Sequence, residues 1–220
     1  MSKVLVIPDL HAPFIMDGFL EFCKEKKRKY RCDQVVIIGD LVDNCAASFH
    51  TSDPNGHGAG EELRLAIEQL KPWYKAFPDA KVCIGNHDRI IARKAFDGGV
   101  PSVWIKHYND VLSTPRWEWG DSFEIDDVIY CHGDGPKAHV RAQREFKSVV
   151  QGHHHTVAYV QHFAGADKRL FAVQVGVGYD FRHYAFQYAK HHQRPFVSCA
   201  IIDGGELATI YPMKLEKSRG

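Results

Sequence analysis

Five short runs in this 220-residue chain carry side chains able to hold a cation or move a proton. They are "PDLH" with Asp9 and His11, "GDLVD" with Asp40 and Asp43, "GNHD" with Asn86, His87 and Asp88, "CHGD" with His132, and "GHHH" with His153, His154 and His155. Carboxylate, carboxamide and imidazole together form a mixed oxygen and nitrogen donor set, which suits transition metals better than Mg or Ca. A lone Asp-x-His at a strand end reads as a turn residue beside a structural histidine, and "GD" or "GN" alone is an ordinary turn dipeptide. Five such runs, each at the end of an apolar stretch, read instead as parts of one site. Three adjacent histidines on an extended chain cannot all face one point, so the last run raises its own question.

The elements that would position these runs alternate. Val4–Pro8 reads as a strand, 14–30 as a helix with a basic end, Val35–Ile38 as a strand, 60–76 as a helix that Pro72 should kink or end, and Val82–Ile84 as a strand. This β-α-β-α-β order predicts parallel strands whose carboxyl ends lie side by side, so that residues far apart in sequence converge on one crevice. Beyond residue 96 the pattern changes. "SFEIDDVIYCHG" reads as two strands around an Asp-Asp turn, 136–147 as a helix, and 148–151, 156–161, 170–175, 183–189, 196–202 and 206–211 as strands, the last two joined by "DGG". Two stacked sheets with helices outside account for both halves. Residues 43–59 form the longest irregular stretch, a length that usually marks a functional loop.

Composition bounds the function classes. With 28 basic and 27 acidic residues the net charge is +1, which leaves no bulk attraction to nucleic acid or an anionic membrane. The basic run "KEKKRKYR" therefore reads as a solvated helix face. The six cysteines form no C-x-x-C pair, and several sit in apolar runs, which fits a reducing, cytoplasmic setting. No signal peptide and no 18-residue apolar run is expected.

In this order, D-x-H, G-D-x-x-D, G-N-H-D, H-G and G-H-x-H resemble the calcineurin-like metallophosphoesterase superfamily. "VIPDLHAPF" and "KVCIGNHDR" are similar to its small bacterial and phage-encoded members. The resemblance implies a four-layer α/β/β/α sandwich of two mixed β-sheets flanked by helices, as a single domain over 1–215 with a flexible tail at 216–220. It implies two divalent transition-metal ions, manganese first among iron, zinc, nickel and cobalt. Asp9, His11, Asp40 and His155 would hold one ion, and Asp40, Asn86, His132 and His153 the other, with Asp40 bridging two cations roughly 3.5–4 Å apart. His87 corresponds to a histidine just outside the metals that contacts phosphate or protonates the leaving oxygen. Asp88 either orients His87 or serves the turn, and Asp43 reads as a supporting residue rather than a ligand. If the chain is extended or gently turning at 153–155, His153 and His155 face one way and His154 another.

The implied activity is hydrolysis of phosphomonoesters or phosphodiesters, with a nucleotide or DNA as the substrate. The alternatives are a DNA nuclease of the same superfamily and a metal-binding scaffold with little turnover. At the rim, Arg89 is a candidate phosphate contact or a surface ion pair. Asn44, His50 and His57 sit in the 43–59 loop, while Lys137, Arg141 and Arg144 could form a cationic wall or a solvated helix. "GDLVDNC" and "IGNHDR" depart from the "GDxVDRG" and "RGNHE" of the protein phosphatase branch. Oligomeric state is not legible, and His191 and His192 are given no metal role.

Overall fold

A computed structural model describes residues 1–49, 54, 56–183 and 194–215. Among them eleven strands form two sheets. The first sheet contains β1 (Lys3–Ile7), β2 (Gln34–Ile37), β3 (Lys81–Cys83), β4 (Glu118–Gly120), β10 (Ser198–Asp203) and β11 (Leu207–Pro212), in the order β11-β10-β1-β2-β3-β4. β1 to β4 run parallel, while β10 is antiparallel to both β1 and β11. The second sheet contains β5 (Ser122–Ile125), β6 (Val128–Cys131), β7 (Ser148–Gln151), β8 (Tyr159–Ala164) and β9 (Arg169–Gln174), in the order β5-β6-β7-β9-β8. It too is mixed: β6, β7 and β9 are parallel, with antiparallel strands at both edges.

The pleat explains the layers. Successive side chains of a strand point to opposite faces, so a strand buried on both sides is apolar throughout. In β1, Leu5 and Ile7 pack toward α1 (Phe19–Tyr30) and α2 (Ala59–Ala76), while Val4 and Val6 pack against the second sheet. Val35 and Ile37 repeat this in β2, opposite Val36. On the far side Val149 and Ala172 meet Ala138 and Ala142 of α5 (Ala138–Glu145), while Val150, Phe171 and Val173 face inward. The result is helices, sheet, sheet, helix.

Several expectations are revised. Pro72 does not end α2, which continues to Ala76. The buried stripe of Glu62, Ala66, Leu70 and Trp73 holds the helix on the core, and Pro72 lies on the exposed face. α1 begins at Phe19 rather than 14, because the preceding chain makes isolated β-bridges to other loop segments (Ala12 with Val42, Ile15 with Tyr179) and Gly18 caps the helix at φ 77°. The strand expected at 156–161 runs three residues later, since a turn occupies 153–156. β4, α3 (Ile90–Asp97) and α4 (Tyr108–Leu112) have no counterpart in the sequence reading. The Asp-Asp turn is present, with Asp126 and Asp127 at φ 50° and 61°, the left-handed pair that a two-residue hairpin turn requires. The strand expected at 183–189 falls almost wholly outside the described residues, as do His50, His191, His192 and the 216–220 tail. No helix among the described residues is long and apolar enough to cross a membrane.

Candidate metal centre

Asp9 follows β1, Asp40 follows β2, Asn86 and His87 follow β3, His132 follows β6, and the histidine run follows β7. All five ends meet at one edge between the sheets. Donor atoms of Asp9, His11, Asp40 and His155 lie within 4.8 Å of one another, and so do those of Asp40, His132 and His153. His155 Nε2 is 3.3 Å from Asp9 Oδ2, and His11 Nε2 is 3.8 Å from Asp40 Oδ2. In the second group His132 Nε2 lies 3.2 Å from Asp40 Oδ2, while Asn86 Oδ1 is 2.9 Å from both His132 Nε2 and His153 Nδ1. Every residue expected to bind metal is therefore in one of two groups that share Asp40.

Burial makes the arrangement electrostatically demanding. Asp9, His11, Asp40 and His132 are at most 2% exposed. No lysine or arginine among the described residues pairs with either aspartate, so two carboxylates sit in low dielectric with only imidazoles for company. Burial alone would raise Asp40, but His132 holds it well below the usual carboxylate range. Burial likewise opposes a proton on His132, yet Asp40 and Asp9 push it up to about 9. Asp9 Oδ1 and His132 Nδ1 are buried without a hydrogen-bond partner among the described residues. A cluster that holds a proton this tightly is one that calls for positive charge, and a divalent cation would supply it.

The backbone is bent to make this possible. His11, Asp40 and His153 all have positive φ (49°, 43° and 69°), a conformation non-glycine residues adopt at a cost of order 1–3 kcal/mol. Asp40 O accepts the amides of Leu10 and His11 at 3.1 and 2.9 Å, tying the first two loops together. Gly85 and Gly152 are required by space: a Cβ on Gly85 would overlap Asp40, and one on Gly152 would overlap Asp9 Oδ1 and Ile38. A Gly152→Ala protein should therefore lose about 2–3 kcal/mol of stability and bind metal more weakly, as read by thermal denaturation and metal titration.

The three histidines divide, though not by strand alternation. The His154 amide donates to Gly152 O at 2.8 Å around His153, forming a three-residue γ-turn with positive φ at its centre. The turn sends His153 toward Asn86 and His155 toward Asp9, while His154 Nε2 lies 3.1 Å from Gly135 O. His154→Ala should change activity less than about twofold and stability by about 1 kcal/mol or less, which steady-state rates and melting curves will check.

Supporting contacts give each ring its direction. His11 Nδ1 sits 2.6 Å from Asp43 Oδ1, and donation there leaves Nε2 as the lone-pair nitrogen on the Asp40 side. Donor atoms of His11, Asp43 and His87 also lie within 4.8 Å of one another. His155 Nδ1 meets Tyr179 Oη at 3.1 Å. His87, about a quarter exposed, has Nδ1 2.6 Å from the Asp43 carbonyl. Burial lowers its pKa, but Asp40 and Asp43 outweigh that and raise it. Asp88 does not orient His87. Its carboxylate accepts the amides of Leu41, Val42 and Gly85 at 3.0, 3.2 and 2.8 Å, so its work is in the turn. Burial and Asp40 push it up to about 7 against those donors. Arg89 donates to Ile84 O at 2.7 Å and pairs with Asp121 at 2.7 Å, the ion pair being one of its two expected roles, while also lining a cavity beside Asn86.

Sequence reasoning missed two supporting residues. Glu62 binds the amides of Cys45 and Ala46 at 2.7 and 2.8 Å and holds the start of the 43–59 loop; a carboxylate on the buried stripe of α2 was the available signal. Tyr179 left only the weak cue of a tyrosine following an apolar run. Asn44 turns inward, donating to His87 O at 3.0 Å, whereas His57 is exposed. Of Lys137, Arg141 and Arg144, only Arg141 lines a cavity beside the centre. That cavity, about 560 Å³, opens on Asn86 and His132; a larger one of about 890 Å³, mostly apolar, is lined by Asp88 but by none of the seven residues expected to hold metal.

A family model described as calcineurin-like phosphoesterase matches residues 2–182. No curated protein matches the chain in sequence. Among solved structures the chain is similar to Vps29 from Chaetomium thermophilum, with 14% identity over 92% of this chain and 82% of that one and a TM-score of 0.45. It is also similar to YfcE, a phosphoesterase from E. coli, with 12% identity over 91% and 88% and a TM-score of 0.43. Vps29 from Cryptosporidium parvum gives 14% identity over 96% and 98%, with a TM-score of 0.43.

Proposed function

The chain belongs to the calcineurin-like phosphoesterase family, and from that premise we propose that it is a hydrolase of phosphomonoesters or phosphodiesters that works with two divalent metal ions. The observation that carries this reading is the position of Asp40, buried and common to both donor groups. Asp9, His11, Asp40 and His155 would hold one ion, and Asp40, Asn86, His132 and His153 the other. Such ions, when bound, supply charge at the phosphoryl oxygens and make water a stronger acid. The mixed imidazole and oxygen donors suit a transition metal, with manganese, iron, zinc, nickel and cobalt as the candidates.

The chain's own residues do the rest. Asp43 fixes His11 through its carboxylate and His87 through its carbonyl, so one residue sets both rings. With Nδ1 committed there, His87 presents Nε2 to the substrate. Asp40 and Asp43 raise its pKa against burial, the direction that favours the protonated ring an acid donating to the departing oxygen needs. Asp88 and Arg89 hold the "GNHD" turn in place and take no part in the chemistry. All six cysteines are free and five are buried, which supports a reducing, cytoplasmic location.

The test is direct. Protein stripped with chelator and reloaded with Mn²⁺ should contain about two ions per chain by plasma mass spectrometry and hydrolyse 4-nitrophenyl phosphate or its bis ester. Absence of turnover with each candidate metal, on model esters, nucleotides and DNA alike, would overturn the reading in favour of a metal-binding protein.

A further inference from the structure

The cavity of about 560 Å³ beside Asn86 and His132 has a cationic lining that the reading above does not use. Arg89 and Arg93 enter it from the start of α3, and Arg141 enters from α5. Three arginines face two aspartates there. Asp121 is already matched by Arg89 at 2.7 Å, which leaves Asp134 opposite two further guanidinium groups. No carboxylate among the described residues pairs with Arg93, whose guanidinium lies 4.9 Å above the Phe49 ring. Arg141 Nε is buried without a hydrogen-bond partner among the described residues. The carboxylate nearest to it, Glu145, is 3.9 Å away, too far for a hydrogen bond.

The Arg141 side chain is about a third exposed, so only its enclosed Nε lacks a partner, and an anionic oxygen in the cavity would match it through a charge-assisted bond. The cavity is lined both by Asn86 and His132 of the second donor group and by these arginines. We infer that it receives a second phosphoryl group, linked to the one being cleaved, so that the substrate class is small molecules carrying a pyrophosphate-type chain, such as nucleoside di- or triphosphates. The inference rests on the hydrolase reading for the placement of the first phosphate. A nucleic-acid strand fits less well, because it needs an extended basic track and the chain as a whole is near neutral.

Calorimetry on metal-loaded protein compares AMP with α,β-methylene-ADP, which differ by one non-cleavable phosphoryl group. The wild type should bind the latter about tenfold or more tightly, the gain expected of one charge-assisted contact. Arg141→Gln should erase most of that preference, Arg93→Gln part of it, and Arg141→Lys should restore some. In parallel, the ratio of kcat/KM for ADP to that for 4-nitrophenyl phosphate should fall about tenfold in Arg141→Gln. Equal binding of the two nucleotides by the wild type, or a preference that survives Arg141→Gln and Arg93→Gln, overturns the subsite even if turnover is normal. An Arg141-dependent preference in a protein without turnover leaves the subsite standing and removes the hydrolase. A phosphorylated dinucleotide that binds tighter than methylene-ADP, with the same dependence on Arg141, overturns the assignment in favour of a nucleic-acid strand. Melting curves of all three variants separate loss of the subsite from loss of the fold.

Discussion

Asp40→Asn is expected to empty both metal positions at once and to lower turnover roughly a thousandfold or more, a loss of several kcal/mol of transition-state charge stabilisation. The reason lies in what the carboxylate does in the cluster. Oδ1 accepts the His87 amide at 2.8 Å, and Oδ2 is 3.2 Å from His132 Nε2 and 3.8 Å from His11 Nε2. A carboxamide must turn its NH₂ toward one of these groups. Facing His87 it opposes donor with donor; facing the imidazoles it occupies the direction from which a cation would be shared. It also deletes one of two buried negative charges that make the cluster attractive to cations. Metal content measured beside kcat/KM is the check, with circular dichroism confirming that the fold persists. Retention of two ions at wild-type affinity would show that Asp40 is not shared.

His87→Ala separates chemistry from metal binding. Its effect on kcat should be about 10²–10⁴-fold, the range for loss of a positioned acid, while metal content stays at the wild-type level. His87 lies outside the two donor groups that share Asp40, and its ring is held edge-on to His11 with centroids 4.6 Å apart. A substrate whose leaving group needs no proton, such as an activated nitrophenyl ester, should suffer less than an alkyl ester. Loss of one ion in this variant would reassign His87 as a ligand. Equal loss on both esters would instead mean that it binds phosphate rather than protonating the leaving oxygen.

The ligand-type residues were legible because each follows an apolar strand, and the hydrophobic pattern that marks a strand also marks its end. Asp9, Asp40, Asn86, His132 and the pair His153 and His155 could be found in this way. What was not legible is held by contacts between segments distant in the chain. The preference of His11 for Asp43, of His155 for Tyr179 and of two loop amides for Glu62 leaves no periodic trace. β4 is a three-residue "EWG", too short for any alternation, and it is recruited by the open edge of β3. The γ-turn at His153 contradicts local preference, since positive φ is unfavourable for histidine, and only the surrounding sheet ends impose it. Reading 153–155 as extended carried β8 three residues out of place, and it is the γ-turn rather than strand alternation that turns His153 and His155 toward the cluster.

The antiparallel pairing of β1 with β10 also bears on how the molecule comes into being. Leu5 stands opposite Ile201, and the Phe196 amide closes on His155 O at 2.9 Å, so the strand that leads to Asp9 and the turn that carries His155 are both secured by β10 and the residues just before it. During synthesis every ligand-type residue has been translated well before those partners exist. Contacts of this sequence separation form late, because the entropy of closing so long a stretch of chain must be met first. The cluster thus belongs to the finished molecule. A divalent ion bound there would lock a completed fold rather than nucleate it, since a nascent chain offers these imidazoles and carboxylates only one loop at a time.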